Sequence, residues 1–180
     1  MSELVYDSAS PCWSSFPYAW RFTDPRWDCL PPNVLSLVTP LAASDAAPLI
    51  QLAKGFREYQ RVNATAYRVV SSVRLEGDDK VAPAQQWLRS ELPESTRVYV
   101  SWGDSAAIAP REILVAYYDS FFYPFDTLDV FDDSADWAVL FGPEEWAVSI
   151  RRGGVPDTHA DYDYLAGLDL VRCYPPQVQP

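Results

Sequence analysis

The chain has 180 residues, of which 48% are hydrophobic and 14% aromatic, so it can form a folded domain with a substantial core. Its net charge of −11 disfavours direct binding to nucleic acid or to an anionic membrane, because both require clustered cations. The N-terminus lacks the pattern of a signal peptide, no apolar run could span a bilayer, and the three cysteines form no CxxC pair. We therefore expect a single domain over residues 1–180 in a reducing cytoplasm, with loose termini at 1–12 and 175–180 and three free thiols.

The first segment, residues 11–32, interleaves aromatic residues with prolines. Five prolines in this segment prevent a long helix. The pattern predicts an extended wrap with a short strand around Tyr18–Phe22. We expect the rings to pack on the outside of the core, with an aromatic binding platform as the alternative.

The middle of the chain alternates between helical and β patterns. Apolar residues spaced three and four apart indicate helices, and runs of β-branched residues indicate strands. The predicted elements are a short helix over NVLSLV, a helix near 45–60 capped by Ser44 or Asp45, a strand at 65–75, a helix at 82–92, a strand at 97–102 and a helix at 110–119.

Residues 127–151 give the clearest pattern. Apolar residues alternate with period two in three runs, which the turn segments DDSAD and GPEE separate. This pattern predicts a three-stranded antiparallel meander with one apolar face. The expected fold is therefore a single α+β domain with an antiparallel sheet that includes this meander and has flanking helices.

Charge is distributed unevenly along the chain. Residues 1–111 contain 12 acidic and 11 basic side chains, whereas residues 112–180 contain 13 acidic and 3 basic ones. Such a field attracts a cationic partner and speeds its encounter with the protein. The predicted partner is therefore a basic protein, and the oligomeric state is left open. The alternative is that the acids only maintain solubility.

The two ends of the meander differ in their predicted charge. An up-down-up arrangement places Asp126 beside the second turn, with no Lys or Arg nearby in sequence, whereas Arg151 and Arg152 return to the opposite end and screen its acids. Residues 119–126, DSFFYPFD, add rings that could form an aromatic patch beside these acids, as in interaction hot spots. The candidate partner-binding residues are Asp119, Tyr123, Phe125, Asp126, Asp129, Glu144, Glu145 and Trp146.

The sequence contains no motif that fixes a reaction. It has no glycine-rich phosphate loop, GxSxG or HExxH. His159 alternates with Asp157, Asp161 and Asp163, which on a strand would offer ligands for a hard cation. The segment follows two glycines and lacks apolar alternation, so an exposed loop is the preferred interpretation. We expect no catalytic residues, no metal and no cofactor; an enzyme that uses carboxylates is the first alternative.

Residues 98–152, VYVSWGDSAAIAPREILVAYYDSFFYPFDTLDVFDDSADWAVLFGPEEWAVSIRR, resemble the immunity proteins of bacterial polymorphic-toxin systems in composition and architecture. Those are small, acidic, cytosolic α+β proteins, often rich in Trp and Tyr, that plug the active site of a secreted toxin. The excess of Arg over Lys also indicates a GC-rich bacterial genome. The resemblance implies an inhibitor that neutralises a basic toxin domain, such as a nuclease, and it transfers no residue roles. A DNA mimic that blocks a DNA-binding protein is the second alternative.

Overall fold

The computed structural model describes residues 13–27, 29–58, 61–75, 81–94, 97–123, 126–142 and 146–153. It confirms the predicted α+β class, with helices packed around an antiparallel sheet in one domain. After a 3₁₀ turn at Trp13–Ser15, the helices are α1 Ala19–Thr23, α2 Pro32–Leu35, α3 Ala43–Ala53, α4 Val81–Glu91, α5 Arg111–Ala116 and α6 Tyr118–Phe121. The strands are β1 Thr39–Pro40, β2 Arg57–Glu58, β3 Arg61–Val62, β4 Tyr67–Arg74, β5 Arg97–Ser101, β6 Ala106–Pro110, β7 Leu128–Phe131, β8 Trp137–Gly142 and β9 Trp146–Arg152.

Seven of the strands form one sheet in the order β1-β6-β5-β7-β8-β9-β4, while β2 and β3 pair with each other. Every pairing is antiparallel. The predicted meander is confirmed as β7, β8 and β9, with Leu128 opposite Phe141 and Val139 opposite Ser149. The first and last strands of the meander each gain a second neighbour, β5 and β4, which places the meander inside the sheet.

The meander has two apolar faces, so the prediction of one apolar face is wrong. Val130 and Val139 pack with α4, α5 and α6, whereas Leu140 and Val148 pack on the opposite face with α3. The alternating apolar residues of β9 therefore point away from those of β7 and β8. Most positions between the alternating residues are also apolar or small, as expected for strands that are covered on both sides. The exception is Asp129, which is buried and pairs with Arg57.

Two other predictions near the N-terminus are corrected. The segment Tyr18–Phe22 is helical rather than a strand, because α1 occupies Ala19–Thr23. The helix α3 begins at Ala43, after Ala42 as its N-cap, and neither Ser44 nor Asp45 has the capping role. The helix α1 has only five residues, and the backbone N–H of Asp24 donates to the carbonyl of Trp20 at its C-terminal end.

The helix predicted near 45–60 is also shorter than expected. It ends at Ala53, and Phe56 then enters the core with no exposed surface. The chain forms the β2–β3 hairpin where the helix was expected to continue. Burial of Phe56 against Tyr67 and Phe131 explains this outcome, because a continued helix would carry the ring away from these two contacts.

The remaining elements follow their predicted positions. The strand at 65–75 is β4, the helix at 82–92 is α4, and the strand at 97–102 is β5. The helix predicted at 110–119 is present in two pieces, because Tyr117 adopts φ −128° and ψ 31° between α5 and α6. The strand β6, which the sequence pattern did not predict, lies between β1 and β5.

Candidate partner-binding surface

Three aromatic residues meet on the surface and define what we call the aromatic cluster: Trp20, Trp27 and Tyr123. Their ring centroids lie 4.8 Å apart for Trp20–Trp27, 5.7 Å for Trp20–Tyr123 and 5.5 Å for Trp27–Tyr123. Trp20 is 38% exposed and Trp27 44% exposed, while Tyr123 is half-buried. The cluster joins the N-terminal segment to the residues that follow α6.

The short helix α1 places Trp20 on the surface. The next two residues of the helix, Arg21 and Phe22, are buried. Because successive side chains of a helix point in different directions, the Trp20 side chain lies at the protein surface. Trp27 then folds back over Trp20 through a turn in which its backbone N–H donates to the carbonyl of Asp24 at 2.9 Å. Local backbone geometry therefore brings two exposed indoles together within eight residues of sequence.

Arg21 lies beneath the aromatic cluster with only 3% of its surface exposed. Three rings surround its guanidinium carbon, those of Tyr18 at 4.6 Å, Tyr123 at 4.8 Å and Trp20 at 5.2 Å. Its Nη1 donates to the carbonyl of Phe121 at 3.3 Å, and its Nη2 forms an ion pair with Asp126. This arginine therefore fastens α1 to α6 and to the loop before β7, and it supports the rings from below.

Asp126 is not the isolated acid that the sequence predicted. Arg21, more than a hundred residues away in sequence, contacts its Oδ2, and its backbone N–H donates to the carbonyl of Tyr123 at 3.0 Å. The side chain is 29% exposed, and no described residue donates a hydrogen bond to its Oδ1. The expectation that Asp126 lacks a counter-charge is therefore wrong, but one carboxylate oxygen stays available beside the aromatic cluster.

Asp129 lies inside the protein rather than on a binding surface. Nε of Arg57 donates to its Oδ1 at 2.7 Å, and the Nη2 of the same arginine lies 2.6 Å from that oxygen. Nη2 also donates to the carbonyl of Phe141 at 2.9 Å. Burial raises the pKa of Asp129, and the ion pair with Arg57 opposes that shift. The pair fixes the β2–β3 hairpin to the sheet, and Asp129 is removed from the candidate surface.

Arginines from the first part of the chain pair with several acids of the second part. Besides the pairs of Asp126 and Asp129, Arg111 pairs with Glu112. At the opposite end of the meander, Nε of Arg152 lies 3.1 Å from the carboxylate of Asp136, which confirms the predicted screening. In the folded protein, arginines of residues 1–111 therefore neutralise part of the negative charge of residues 112–180.

The second arginine expected at that end has a different role. Arg151 donates to the backbone carbonyl of Glu91 at 2.5 Å and lies beside the ring of Trp137, with 5.9 Å between the guanidinium carbon and the ring centroid. It therefore joins β9 to the end of α4, and the prediction that it screens the acids between β7 and β8 is wrong for this residue. Asp133 instead accepts a hydrogen bond from the hydroxyl of Tyr99.

The other candidate residues are dispersed. Asp119 is exposed, and its Oδ1 accepts a hydrogen bond from the backbone N–H of Ser120 at 3.0 Å. Trp146 is partly buried and packs on the α3 side of the sheet. Cys29 is a free and exposed thiol. Several predictions lie outside the described residues, namely those on Phe125, Glu144, Glu145, Cys12, Cys173, His159 and the acids at 157–163.

Within the described ranges, no group of three His, Cys, Asp or Glu side chains could hold a metal ion. None of the helices in that part of the chain has both the length and the apolar character needed to cross a bilayer. No family model, curated protein or solved structure matches the chain. We take the aromatic cluster with Asp126 as the candidate binding site. It offers a partner aromatic rings, apolar surface and a carboxylate oxygen, which are the groups found at protein–protein interfaces.

Proposed function

We propose that this protein is an immunity protein, a cytoplasmic bacterial inhibitor that binds a basic toxin domain and occludes its active site. The observation that carries the proposal is the aromatic cluster, in which two exposed tryptophans and a tyrosine meet beside a carboxylate on a chain of net charge −11. Trp and Tyr are enriched in the residues that dominate binding energy at interfaces, so their clustering at the surface favours a protein partner.

In the proposed mechanism, long-range electrostatic attraction speeds association with the toxin, and direct contacts stabilise the complex. The net negative charge attracts a basic toxin domain and raises the association rate, and exposed acids such as Asp119 contribute to this attraction. The aromatic cluster then anchors the complex, because covering its rings removes apolar surface from water. Carboxylates at the interface take the places that substrate phosphates would occupy when the toxin is a nuclease.

The ion pairs of the structure favour this proposal over a DNA mimic. A mimic needs many free carboxylates at phosphate-like spacing, whereas Glu112, Asp126, Asp129 and Asp136 each pair with an arginine of the same chain. The candidate surface combines aromatic and acidic groups in a small area, which is the composition of a protein–protein hot spot.

Co-expression with the toxins encoded beside its gene tests the proposal. Cells that produce the cognate toxin domain should survive when they also produce this protein. A variant with Trp20→Ala and Trp27→Ala should lose the rescue, whereas Leu37→Ala should keep it, because Leu37 is 51% exposed but has no part in the aromatic cluster. Circular dichroism and thermal unfolding should show that both variants are folded. If none of the neighbouring toxins is neutralised by the wild-type protein, the proposed function is incorrect.

A further inference from the structure

We infer that the aromatic cluster and the Oδ1 atom of Asp126 form a docking site for an arginine side chain of the partner. The inference rests on the proposed function and specifies the partner group that this surface recognises. The three rings of the cluster lie within 5.7 Å of one another, so a ligand cannot enter between them. A partner group must therefore contact the exposed parts of the two indoles, which are 38% exposed for Trp20 and 44% for Trp27.

The position of Asp126 adds a charged contact at the edge of these rings. Arg21 holds Oδ2 from below, and the hydrogen bond between the Asp126 N–H and the Tyr123 carbonyl holds the backbone beside the aromatic cluster. The carboxylate is therefore oriented before any partner arrives, with Oδ1 unclaimed by the described residues. Oδ1 is therefore the oxygen of this carboxylate that we assign to a donor from the partner, while Arg21 keeps its contact with Oδ2.

The surrounding charges favour a cation in spite of the buried Arg21. Asp104 is exposed and accepts a hydrogen bond from the Tyr18 hydroxyl at 3.3 Å. Asp104, Arg21 and Asp126 all act on the pKa of Tyr18, which is raised, first by burial and then by Asp104. Arg26 and Asp24 form a further ion pair beside Trp27. Among the described residues of this neighbourhood, three carboxylates therefore stand against two guanidinium groups, and the chain as a whole is strongly acidic. A partner cation balances the excess negative charge.

The geometry selects arginine over lysine. A guanidinium group is planar and weakly hydrated, so it can stack on an indole while its N–H groups donate to a carboxylate in the same plane. An ammonium group is a compact, strongly hydrated charge, and it makes one of these contacts at the expense of the other. Arg21 provides an example of this stacking within the protein, since its guanidinium lies against the rings of Tyr18, Trp20 and Tyr123.

Nuclear magnetic resonance of the full-length protein tests the inference without the toxin. The indole N–H signals of ¹⁵N-labelled protein are assigned with single Trp→Phe variants and followed during titration with N-acetylarginine amide. Matched titrations use N-acetyllysine amide, which keeps the charge, and N-acetylcitrulline amide, which keeps the shape but is neutral. We expect saturable shifts of the Trp20 and Trp27 signals, with an affinity for the arginine amide at least about threefold higher than for either control.

Variants of the protein identify the contacts. Asp126→Asn should weaken binding of the arginine amide by about threefold or more, and Trp27→Ser should abolish the saturable shift of Trp20. Asp136→Asn is the matched control, because Asp136 pairs with Arg152 away from the aromatic cluster, and it should leave the affinity unchanged. The thermal stability of each variant is measured beside its affinity. If Asp126→Asn lowers the stability, Asp126→Glu serves as a second variant, because it keeps the charge and should bind the arginine amide almost as well as the wild-type protein.

Three outcomes would overturn the inference. The first is equal affinity for the arginine, lysine and citrulline amides. The second is a set of small shifts spread over all the indole signals. The third is a concentration-dependent dimer, seen by analytical ultracentrifugation and removed by Trp27→Ser, which would make a second copy of the chain the occupant. If the amide titrations fail while the protein still neutralises a toxin in cells, the arginine site is wrong and the proposed function stands.

Discussion

The buried ion pair between Arg57 and Asp129 allows a quantitative prediction that needs no partner. Both side chains are almost fully buried, and Arg57 also donates to the carbonyl of Phe141 at 2.9 Å. Removing one partner of a buried pair leaves a charge without compensation and costs about 3–5 kcal/mol. We expect about 3 kcal/mol for Asp129→Leu, since Arg57 keeps its carbonyl contact, and about 4 kcal/mol for Arg57→Met, which also leaves that carbonyl without its donor.

The double variant separates the ion pair from the rest of the packing. Arg57→Met combined with Asp129→Leu leaves no buried charge at this site, so its cost should be at least about 2 kcal/mol below the sum of the two single variants. Urea unfolding at fixed temperature measures all four free energies of unfolding, with the slope of each transition checked for equality. Additive costs would refute the reasoning, because they would mean that the two side chains do not stabilise each other.

The effect of pH gives an independent check on the same pair. Burial raises the pKa of Asp129 in the folded protein, so its protonation favours the folded state as the pH falls. Without Arg57 the carboxylate loses the opposing effect of the ion pair, and its pKa should rise further. The cost of Arg57→Met should therefore decrease between about pH 7 and about pH 5, whereas the cost of Asp129→Leu should not follow this trend.

Three further predictions concern the surface. Trp27 is 44% exposed, and as an anchor of the interface its replacement in Trp27→Ala should weaken toxin binding by about 2 kcal/mol or more, mainly through faster dissociation measured by surface plasmon resonance. The side chain and backbone N–H of Arg26 lower the pKa of Asp24 from 3.8 to about 2, so the stability from this contact is present above pH 3.8 and is lost as the pH falls toward 2. In Arg26→Ala, carbon-13 titration should show that the pKa of Asp24 returns toward 3.8. Asp119→Lys should slow association with the toxin and flatten its salt dependence more than Asp136→Lys, because Asp136 is already screened by an arginine, and equal effects would remove local charge from the mechanism.

Local sequence patterns predicted the secondary structure correctly in segments with strong hydrophobic periodicity. The helix at 82–92, the strand at 65–75 and the three strands of the meander have strong periodicity and clear turns at their ends, and each appears close to its predicted bounds. The patterns failed where contacts with residues distant in sequence determine the secondary structure. Phe56 leaves the predicted helix because Tyr67 and Phe131 provide its buried site, and neither contact is visible in the local sequence.

The candidate surface shows the same division. Tyr123 was predicted as a partner-binding residue from its acidic and aromatic neighbours in sequence. The two tryptophans that complete the aromatic cluster come from a segment whose rings were expected to pack on the core. Arg21 was missed altogether, because nothing near it in sequence indicates that its counter-charge is Asp126. The sequence signal that could have raised the question is the position of Arg21 directly between two aromatic residues, Trp20 and Phe22, in an acidic chain.

The order of strands in the sheet has a consequence for biosynthesis. The chain emerges from the ribosome with β4 well before β9, yet β9 is the strand to which β4 is hydrogen-bonded in the sheet. Until residues 146–152 are released, the backbone groups of β4 and β8 that face β9 have no strand to pair with. Chains stalled before this point expose two open edges and part of the apolar surface beneath them. Such incomplete chains should be preferred substrates for chaperones and proteases, and the sheet should close only after residues 146–152 have left the ribosome.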